Sequence, residues 1–467
     1  MSGGNGLRVR PTSIPGLLVL DLPVHADGRG WFKENWQREK MTAQGLPDFG
    51  PVQQNVSFND AVGTTRGVHA EPWDKLVSVA TGRVFGAWVD LREGPGFGAV
   101  VTEELGPDRA VFVPRGVGNA YQTLEPATAY AYLVNAHWRP DVAYTFLDAG
   151  DARTAIPWPI PLEQAVRSER DLAHPRLDDV VPVPARTPVV LGGDGRLGRA
   201  LRRAMPEAAF LARGDLDVTD AAAVAAHDWS RHSAIVNATA YTDVDGAESA
   251  AGREAAWRVN ASGPALLAAA ARAHGLPLVA VSTDYVFDGS RGDHREDEPV
   301  APLGVYGQSK AAGELAAAGA PEHWILRTSW LVGEGRDFVR TMRELAARGV
   351  DPVVVADQVG RLTFADELAR AVRHVLEVRP PAGVYHVSNG GAARSWFDVA
   401  RRVFELAGAD PERVSPTSTA EYAAGRPAAP RPARSDFDLA KIRATGFAPR
   451  DQDEQLAEYV ARLGDDA

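Results

Sequence analysis

The sequence predicts a multidomain protein of the β plus α/β class, with an all-β first part and a parallel α/β second part. Three observations carry this. Up to about Pro161, apolar residues alternate in short runs broken by Gly, Pro, Asn and Asp. From Thr187 onward, strand-like apolar runs alternate with Ala-rich helical stretches. Between them, His174 to Pro188 carries Pro175, Pro182, Pro184 and Pro188 among charges, which suits an extended, semi-rigid linker. The 467 residues have room for two to four domains at roughly 100–200 residues each. The expected division is 1–173, a linker 174–187, and 188–467.

The elements follow in chain order. Val77 and Val79 lead to Thr81-Gly82, and Val84 to Leu91 follows; short strands at such spacing predict a β-sandwich or barrel. After the junction, Pro188–Leu191 reads as a buried strand meeting glycines and then an Arg/Leu/Ala-rich helix. Further strands are expected at Ala234–Ala238, Leu278–Ser282, Trp324–Thr328 and Pro352–Val355. A helix from about Pro264 has a Pro near its start and Gly275 at its end, the usual asymmetry.

Composition excludes several classes. The net charge of −11 opposes binding to a polyanion, so no nucleic-acid partner is expected. Cysteine is absent, which removes disulfides, thiolate nucleophiles and Cys-ligated metals. No apolar run approaches the roughly 18–20 residues that span a bilayer, so no membrane partner is expected. Met1 to Arg10 is Gly-rich and polar without an apolar signal core, and a cytoplasmic location is the expectation.

The run Gly192-Gly193-Asp194-Gly195-Arg196-Leu197-Gly198 follows a strand and opens a helix. Glycines there allow a tight turn and close approach of a pyrophosphate to the helix N-terminus. Its strand–turn–helix context favours a dinucleotide site over a turn needed only for packing. Arg213 follows the expected second strand and could pair with a 2′-phosphate, which hints at NADPH; a solvated surface Arg is the equal alternative. Asp217 is placed near the adenine by position alone. Tyr306 and Lys310 stand four apart, on one helix face. An ammonium beside a phenol favours phenolate and would lower the Tyr pKa toward neutrality. By itself such a pair reads as a surface contact. The upstream strand ending Ser282-Thr283-Asp284 adds a hydroxyl that could polarise the same carbonyl, which completes a hydride-transfer set.

Here the chain resembles the extended short-chain dehydrogenases, and among them the dTDP-4-dehydrorhamnose reductases. The matching stretches are Val236 to Thr242, Asp245 to Glu248, Ser282 to Gly289, Tyr306 to Glu314, Leu326 to Trp330, Asp357 to Thr363, Ser395-Trp396, and Arg431-Pro432 with Ser435. They cover nearly all of Pro188–Leu463. The resemblance implies a Rossmann-type domain with a small substrate-binding subdomain. It makes Thr283, Tyr306 and Lys310 catalytic and sets Gly192, Gly195, Arg196, Leu197, Gly198, Arg213, Asp217, Ala238 and Ala240 at the cofactor, with Tyr306 and Lys310. Asp284, Trp330 and Arg431 fall along the nucleotide-sugar pocket. Leu362 departs from the Pro common in the family, which implies an altered loop and bears on substrate detail.

In the first half, Arg66-Gly67-Val68-His69 precedes Lys75-Leu76-Val77, and Tyr130-Ala131-Tyr132 follows later. These could supply base, enolate stabiliser and acid, although each alone reads as core histidine, strand-end charge and core aromatic. This half is similar to the dTDP-4-dehydrorhamnose 3,5-epimerases, cupin-type jelly rolls, over about Ile14 to Asp171. The matching pieces are Asp27 to Glu34, Gln53 to Ser57, Arg66 to His69, Lys75 to Val77, Val89 to Arg92, Val113 to Gly116, Ile156 to Pro159 and Ser168 to Asp171. The resemblance makes His69 the base, Asp171 its orienting partner, Tyr132 the opposite-face acid and Lys75 the enolate stabiliser. It sets Arg29, Glu34, Gln53, Asn55 and Arg66 in the sugar-nucleotide pocket. The family usually reads Ala-His-Gly-Phe where Gly118-Asn119-Ala120-Tyr121 stands, Asp at Gly86, and Phe-Gln at Ala70-Glu71. Only Glu71 shares a strand face with His69, and no further His clusters with them, so no metal is expected there.

Together the halves predict a bifunctional enzyme: 3,5-epimerisation of dTDP-4-keto-6-deoxyglucose, then reduction of the 4-keto group with NADPH or NADH to dTDP-L-rhamnose or a related deoxysugar. A reductase carrying a degenerate epimerase-like binding or dimerising module is one alternative; a non-catalytic regulatory sugar-nucleotide binder is another. The resemblance further implies a homodimer. It also allows Mg²⁺, which some relatives of the reductase use at a subunit contact, with no ligands placed here.

Overall fold

Alternation in the first half folds into two antiparallel sheets in the computed structural model, which describes residues 6–138, 142–425 and 428–465. The Gly-rich opening, Met1 to Asn5, lies outside them. Two compact units emerge, Met1–Ala185 and Arg186–Ala467.

In the first unit a six-stranded sheet runs in the order Arg8–Pro11, Leu18–Asp21, Arg109–Val113, Lys75–Thr81, Thr128–Val134, Gln53–Asn59. A five-stranded sheet runs Thr145–Phe146, Thr65–Ala70, Val117–Thr123, Val84–Asp90, Val100–Leu105. Val19, Val77, Val79 and Val111 of the first sheet and Val84, Trp88, Leu105 and Val117 of the second share one buried cluster, so the sheets pack face to face. At one end the edge strand Gln53–Asn59 inverts the usual polarity. Gln53, Asn55, Ser57 and Asn59 turn inward, while Val56 and Phe58 remain 62% and 55% exposed.

The stretch read as a linker is not free chain. Through Ala185 it belongs to the first unit. Leu177 is buried, Asp148 N–H donates to the Pro175 carbonyl at 2.8 Å, and Val183 N–H donates to that of Leu91 at 2.7 Å. An apolar residue every few positions and free carbonyls on the sheet edge outweigh the stiffness of the prolines.

The second unit is built on six parallel strands ordered Ala209–Leu211, Thr187–Leu191, His232–Asn237, Leu278–Thr283, His323–Thr328, Gly383–His386. Val190, Val236, Val279 and Leu326 pack on one face, and Val189, Leu191, Ile235, Leu278 and Ile325 on the other. Strands buried on both sides read as continuous apolar runs, the signature of a doubly wound sheet. Strand order reverses beside Thr187–Leu191, and such a reversal opens a crevice at the carboxyl ends. The expected helix runs Gly263–His274 with Gly275 in the left-handed region (φ 61°). One expected strand is reassigned: Val353–Val355 pairs with Ser415–Thr417 outside the main sheet, whose last place goes to Gly383–His386. A third core, including Val339, Val354, Leu362, Val403 and Leu456, supports a smaller lobe. Among the described residues no helix is long and apolar enough to cross a membrane.

Candidate functional site

In the first unit, pleat and register decide which side chains meet. Tyr130 hydroxyl donates to Asn119 Oδ1 across the sheets at 2.9 Å, so both side chains point between them. Tyr121 does likewise, donating to Ser57 Oγ at 3.0 Å. His69 pairs with Asn119 and Arg66 with Tyr121 in register, and directly opposed residues share a face. Tyr132 lies two residues from Tyr130 and opposite Asn55; Lys75 and Gln53 both pair with Val134. His69 and Arg66 therefore face inward from one sheet, and Tyr132, Lys75, Gln53 and Asn55 from the other.

His69 Nε2 lies 2.9 Å from Asp171 Oδ1. A carboxylate only accepts, so Nε2 carries the proton and Nδ1 keeps the lone pair. Asp171 sits on the short helix Glu169–Leu172, whose cap Ser168 Oγ accepts from its N–H, and its Oδ2 accepts from Gly67 N–H at 3.3 Å. Burial pushes the Asp171 carboxyl up, but the His69 hydrogen bond and charge and the Gly67 N–H outweigh it and hold it low. Burial first, then Glu71, pushes the Tyr132 phenol up to about 12, so it keeps its proton at neutral pH. Lys75 is 3% exposed; its Nζ lies 3.1 Å from Glu71 Oε2 and 5.9 Å from the Tyr132 ring centroid. Arg66 Nε donates to Asn59 Oδ1 at 3.0 Å, and Gln53 Nε2 to Asn55 Oδ1 at 3.0 Å.

Two expected pocket residues are not drawn in. Arg29 stands on the hairpin His25–Asp27/Gly30–Phe32, paired with Asp27 and with its side chain 90% exposed. Glu34 pairs with Lys40 at the surface at 2.6 Å. A two-stranded hairpin of three-residue strands offers no buried face to hold Arg29 inward, and Glu34 follows it in irregular chain. The departures acquire packing reasons. A Cβ on Gly86 would overlap the Trp88 indole, which fills the space above it. Asn119 serves as the acceptor for Tyr130.

His174, absent from the expected set, joins this site. It lies behind Asp171, with Nε2 3.7 Å from the same Oδ1, its side chain 5% exposed and its ring centroid 5.2 Å from that of His69. The expectation that no further His joins His69 is thereby corrected. The readable signal was its spacing of three from Asp171 at the end of a one-turn helix.

In the second unit the groups gather at the carboxyl edge of the parallel sheet. Gly192 has φ 83°, and a Cβ there would press on the Ala238 backbone at 3.0 Å. A Cβ on Gly198 would overlap the carbonyls of Gly192 and Gly193. The helix Arg196–Ala204 follows Gly195 with no side-chain cap, leaving its first N–H groups for an anion. This cradle fits the pyrophosphate of a dinucleotide. Two expected contacts narrow to the backbone. Leu197 is 6% exposed in the core, and Arg196 Nη1 donates to the Leu331 carbonyl at 3.1 Å, so neither side chain addresses the cradle. Arg213 is 80% exposed beyond the second strand, 3.2 Å from Asp217, which also accepts from Thr219. Ala240 is exposed beyond the third strand.

Thr283 closes the fourth strand, and Tyr306 opens the helix Val305–Ala317, whose Val305 N–H is held by Glu248 Oε1 at 2.8 Å. Tyr306 and Thr283 share a side-chain hydrogen bond, yet burial dominates and pushes the phenol up to about 12. Lys310 does not lower it as expected. Its Nζ donates to the Val281 carbonyl at 2.6 Å, and burial brings its own pKa down to about 8. Asp284 is buried and accepts from Thr283 Oγ1 at 2.9 Å; burial pushes it up to about 6. It sits beneath Thr283 rather than lining an open pocket. Tyr285 meets Tyr306 edge-on at 5.3 Å, and Arg431, 2.8 Å from Asp245, stands beside the Tyr285 hydroxyl. Trp330, at the end of the fifth strand, stacks on Trp396 at 3.7 Å. Leu362 N–H donates to Gln452 Oε1 at 2.9 Å, a bond that Pro could not make.

Among the described residues, the one cluster of three His, Asp or Glu donors suited to a metal is His69, Asp171 and His174. No such cluster lies among the described residues of the second unit, and the Mg²⁺ expectation finds no support.

The family profile described as RmlD substrate binding domain matches residues 187–464, and that of dTDP-4-dehydrorhamnose 3,5-epimerase matches residues 11–179. A "Protein RmlC homolog" of Streptococcus pyogenes serotype M6 is 49% identical over 177 residues, covering 36% of this chain and 89% of that protein. A dTDP-4-dehydrorhamnose reductase of Streptomyces griseus is 43% identical over 282 residues, 57% of this chain and 90% of that protein. The solved dTDP-4-dehydrorhamnose reductase of Bacillus anthracis, in complex with NADP, superposes with a TM-score of 0.55 at 34% identity, covering 61% of this chain and 100% of that one.

Proposed function

Because the chain belongs to the RmlD substrate binding domain family through its second unit and to the dTDP-4-dehydrorhamnose 3,5-epimerase family through its first, we propose that it is a bifunctional nucleotide-sugar enzyme. It epimerises a dTDP-4-keto-6-deoxyhexose and then reduces the 4-keto group, giving dTDP-L-rhamnose or a related deoxysugar. On this reading the first unit is a cupin-type jelly roll and the second an extended short-chain dehydrogenase. The observation that carries it is that one chain holds both a His69–Asp171 pair on a sheet facing the one that carries Tyr132, and Thr283, Tyr306 and Lys310 at the end of a parallel strand and on the helix after it.

The 4-keto group acidifies the protons on carbons 3 and 5. His69, with Nε2–H held by Asp171, removes one through Nδ1. The Lys75 ammonium, itself buried, stabilises the enolate oxygen. Tyr132, on the opposite sheet, returns a proton to the other face, and the centre inverts. Asn55, Gln53 and Arg66 line the same inner space and orient the sugar nucleotide.

In the second unit the glycine turn and the open helix N-terminus would hold the pyrophosphate of NADPH, and Arg213, released from Asp217, would pair with a 2′-phosphate. NADPH supplies the hydride that carbon 4 receives. Thr283 turns its one hydroxyl proton from Asp284 to the carbonyl when substrate binds, and Tyr306 donates its proton to the oxygen as charge develops there. Lys310 orients the site from one helical turn away, and Arg431 and Trp330 bound the sugar-nucleotide side. The epimerised ketone is the substrate of this step, so one covalent chain raises its local concentration. A homodimer through the β unit is part of the proposal, supported by the exposed Val56 and Phe58 on its edge strand. A cytoplasmic location is likewise proposed.

The test is a coupled assay of dTDP-4-keto-6-deoxyglucose in deuterated water. Without NADPH, label is expected at carbons 3 and 5; with it, oxidation of NADPH and a labelled 6-deoxy-L-hexose. NADPH oxidation without label at either carbon would leave only a reductase. Arg213→Ala is expected to lower kcat/KM for NADPH about tenfold while leaving that for NADH unchanged.

A further inference from the structure

Epimerisation as proposed uses His69, Asp171, Tyr132 and Lys75, and leaves His174 without a role. Its placement is nonetheless specific. Asp171 Oδ1 lies 2.9 Å from His69 Nε2 and 3.7 Å from His174 Nε2. Ligand atoms of all three residues fall within 4.8 Å of one another. Two donors on one tetrahedral ion, with bonds of about 2.1 Å, stand about 3.4 Å apart, so both distances to Asp171 bracket that value. The imidazoles cross at 76° with centroids 5.2 Å apart, leaving both Nε2 atoms beside one carboxylate oxygen. His174 is fixed there by burial and by stacking on Phe146 at 4.7 Å. Two imidazoles and a carboxylate are a donor set suited to Zn²⁺ or Co²⁺ with one position open.

We propose that His69, Asp171 and His174 form a divalent transition-metal site whose occupation switches off proton abstraction in the first unit while the second stays active. The inference rests on the reading of His69 as the base. The switch follows from imidazole chemistry. In the metal-free pair, Nε2–H faces Asp171 and Nδ1 holds the basic lone pair. A metal takes the lone pair of Nε2, so the single ring proton must sit on Nδ1, and the neutral ring has no lone pair left for the substrate. No proton is gained or lost overall; the tautomer changes. Asp171 exchanges a hydrogen bond for a metal bond, and His174 supplies the third ligand.

The experiment uses the full chain. Co²⁺ is titrated while its visible d–d absorption is followed, with Zn²⁺ as competitor. Deuterium incorporation into dTDP-4-keto-6-deoxyglucose and NADPH oxidation with pre-epimerised ketone are measured on the same samples. One equivalent of Co²⁺ is expected to give a band that Zn²⁺ removes, with label incorporation falling in step with occupancy and NADPH oxidation unchanged. His174→Phe keeps the stacked ring, and His174→Gln keeps a polar side chain. Both are expected to incorporate label within about twofold of the wild type without metal, to bind Co²⁺ at least tenfold more weakly, and to resist Zn²⁺ correspondingly. No cobalt band in the wild type, or inhibition of both variants at the wild-type Zn²⁺ concentration, overturns the site. A metal-free wild type that incorporates no deuterium overturns the epimerase reading and its switch with it; a labelled product without a cobalt band overturns the metal site alone.

Discussion

In the first unit, base and phenol stand on different sheets: His69 on Thr65–Ala70 and Tyr132 on Thr128–Val134. In the second, Thr283, Tyr306 and Lys310 come from one strand and the helix that follows it, at the carboxyl edge of a parallel sheet. On the proposed function, the first arrangement reaches a substrate from two faces, as inversion of a carbon requires, and the second presents donors to one carbonyl oxygen from one side, as hydride addition requires. Both units leave a protonated phenol in place by the same means, burial that pushes it up to about 12.

The strongest way to break this comparison is to remove one phenol. Tyr306→Phe is expected to lower kcat for NADPH oxidation by roughly 10²–10⁴-fold, the range of general acid catalysis, while deuterium incorporation by the first unit continues at the wild-type rate. Loss of both activities would mean the units do not act independently. The mirror experiment, His69→Asn, is expected to reduce incorporation by roughly 10²–10³-fold and to spare reduction of pre-epimerised ketone.

The same contrast explains what could be read from the sequence. Gly192 to Gly198, Thr283 and Tyr306–Lys310 are short runs, and local spacing already gives their relative positions. His69 and Tyr132 carry no such signal. Their meeting depends on a register that passes through Asn119, Tyr130 and Ser57, and resemblance alone connected them. The edge strand Gln53–Asn59 shows why pattern failed there, since its polar residues face inward and its apolar ones outward. Resemblance sets Arg29 and Glu34 in the pocket, but Arg29 stays with Asp27 on its hairpin and Glu34 with Lys40, both at the surface. Lys310 was read as acting on Tyr306 by spacing, and the Val281 carbonyl, which no sequence pattern announces, claims its ammonium.

Lys310 allows the electrostatic half of the comparison to be sharpened. Its pKa falls from 10.5 to about 8 on burial. Below about pH 8 both folded and unfolded chains hold the proton, and the buried charge is a standing cost. Between about 8 and 10.5 the unfolded chain binds more protons, so stability rises with pH until the cost is gone. Relative to Lys310→Met, the wild type is expected to gain about 3 kcal/mol across this window, read from denaturant midpoints between pH 7 and 11. A flat difference would show that Lys310 is not held as a buried charge.

The smallest effect tests a departure from the related reductases. Leu362, where they commonly carry Pro, was read as altering a loop and bearing on the substrate. In the fold its side chain is 1% exposed within the third core, and its N–H meets Gln452 Oε1 at 2.9 Å. Leu362→Pro removes that donor and leaves a buried amide oxygen without its partner, at a cost of about 1–3 kcal/mol. The expected outcome is a lower denaturant midpoint for the second unit with an unchanged ratio of rates on alternative 4-keto sugars. A changed ratio at unchanged stability would return Leu362 to the substrate pocket. Substrate choice would then sit in the smaller lobe, while the hydride-transfer groups stay on the parallel sheet.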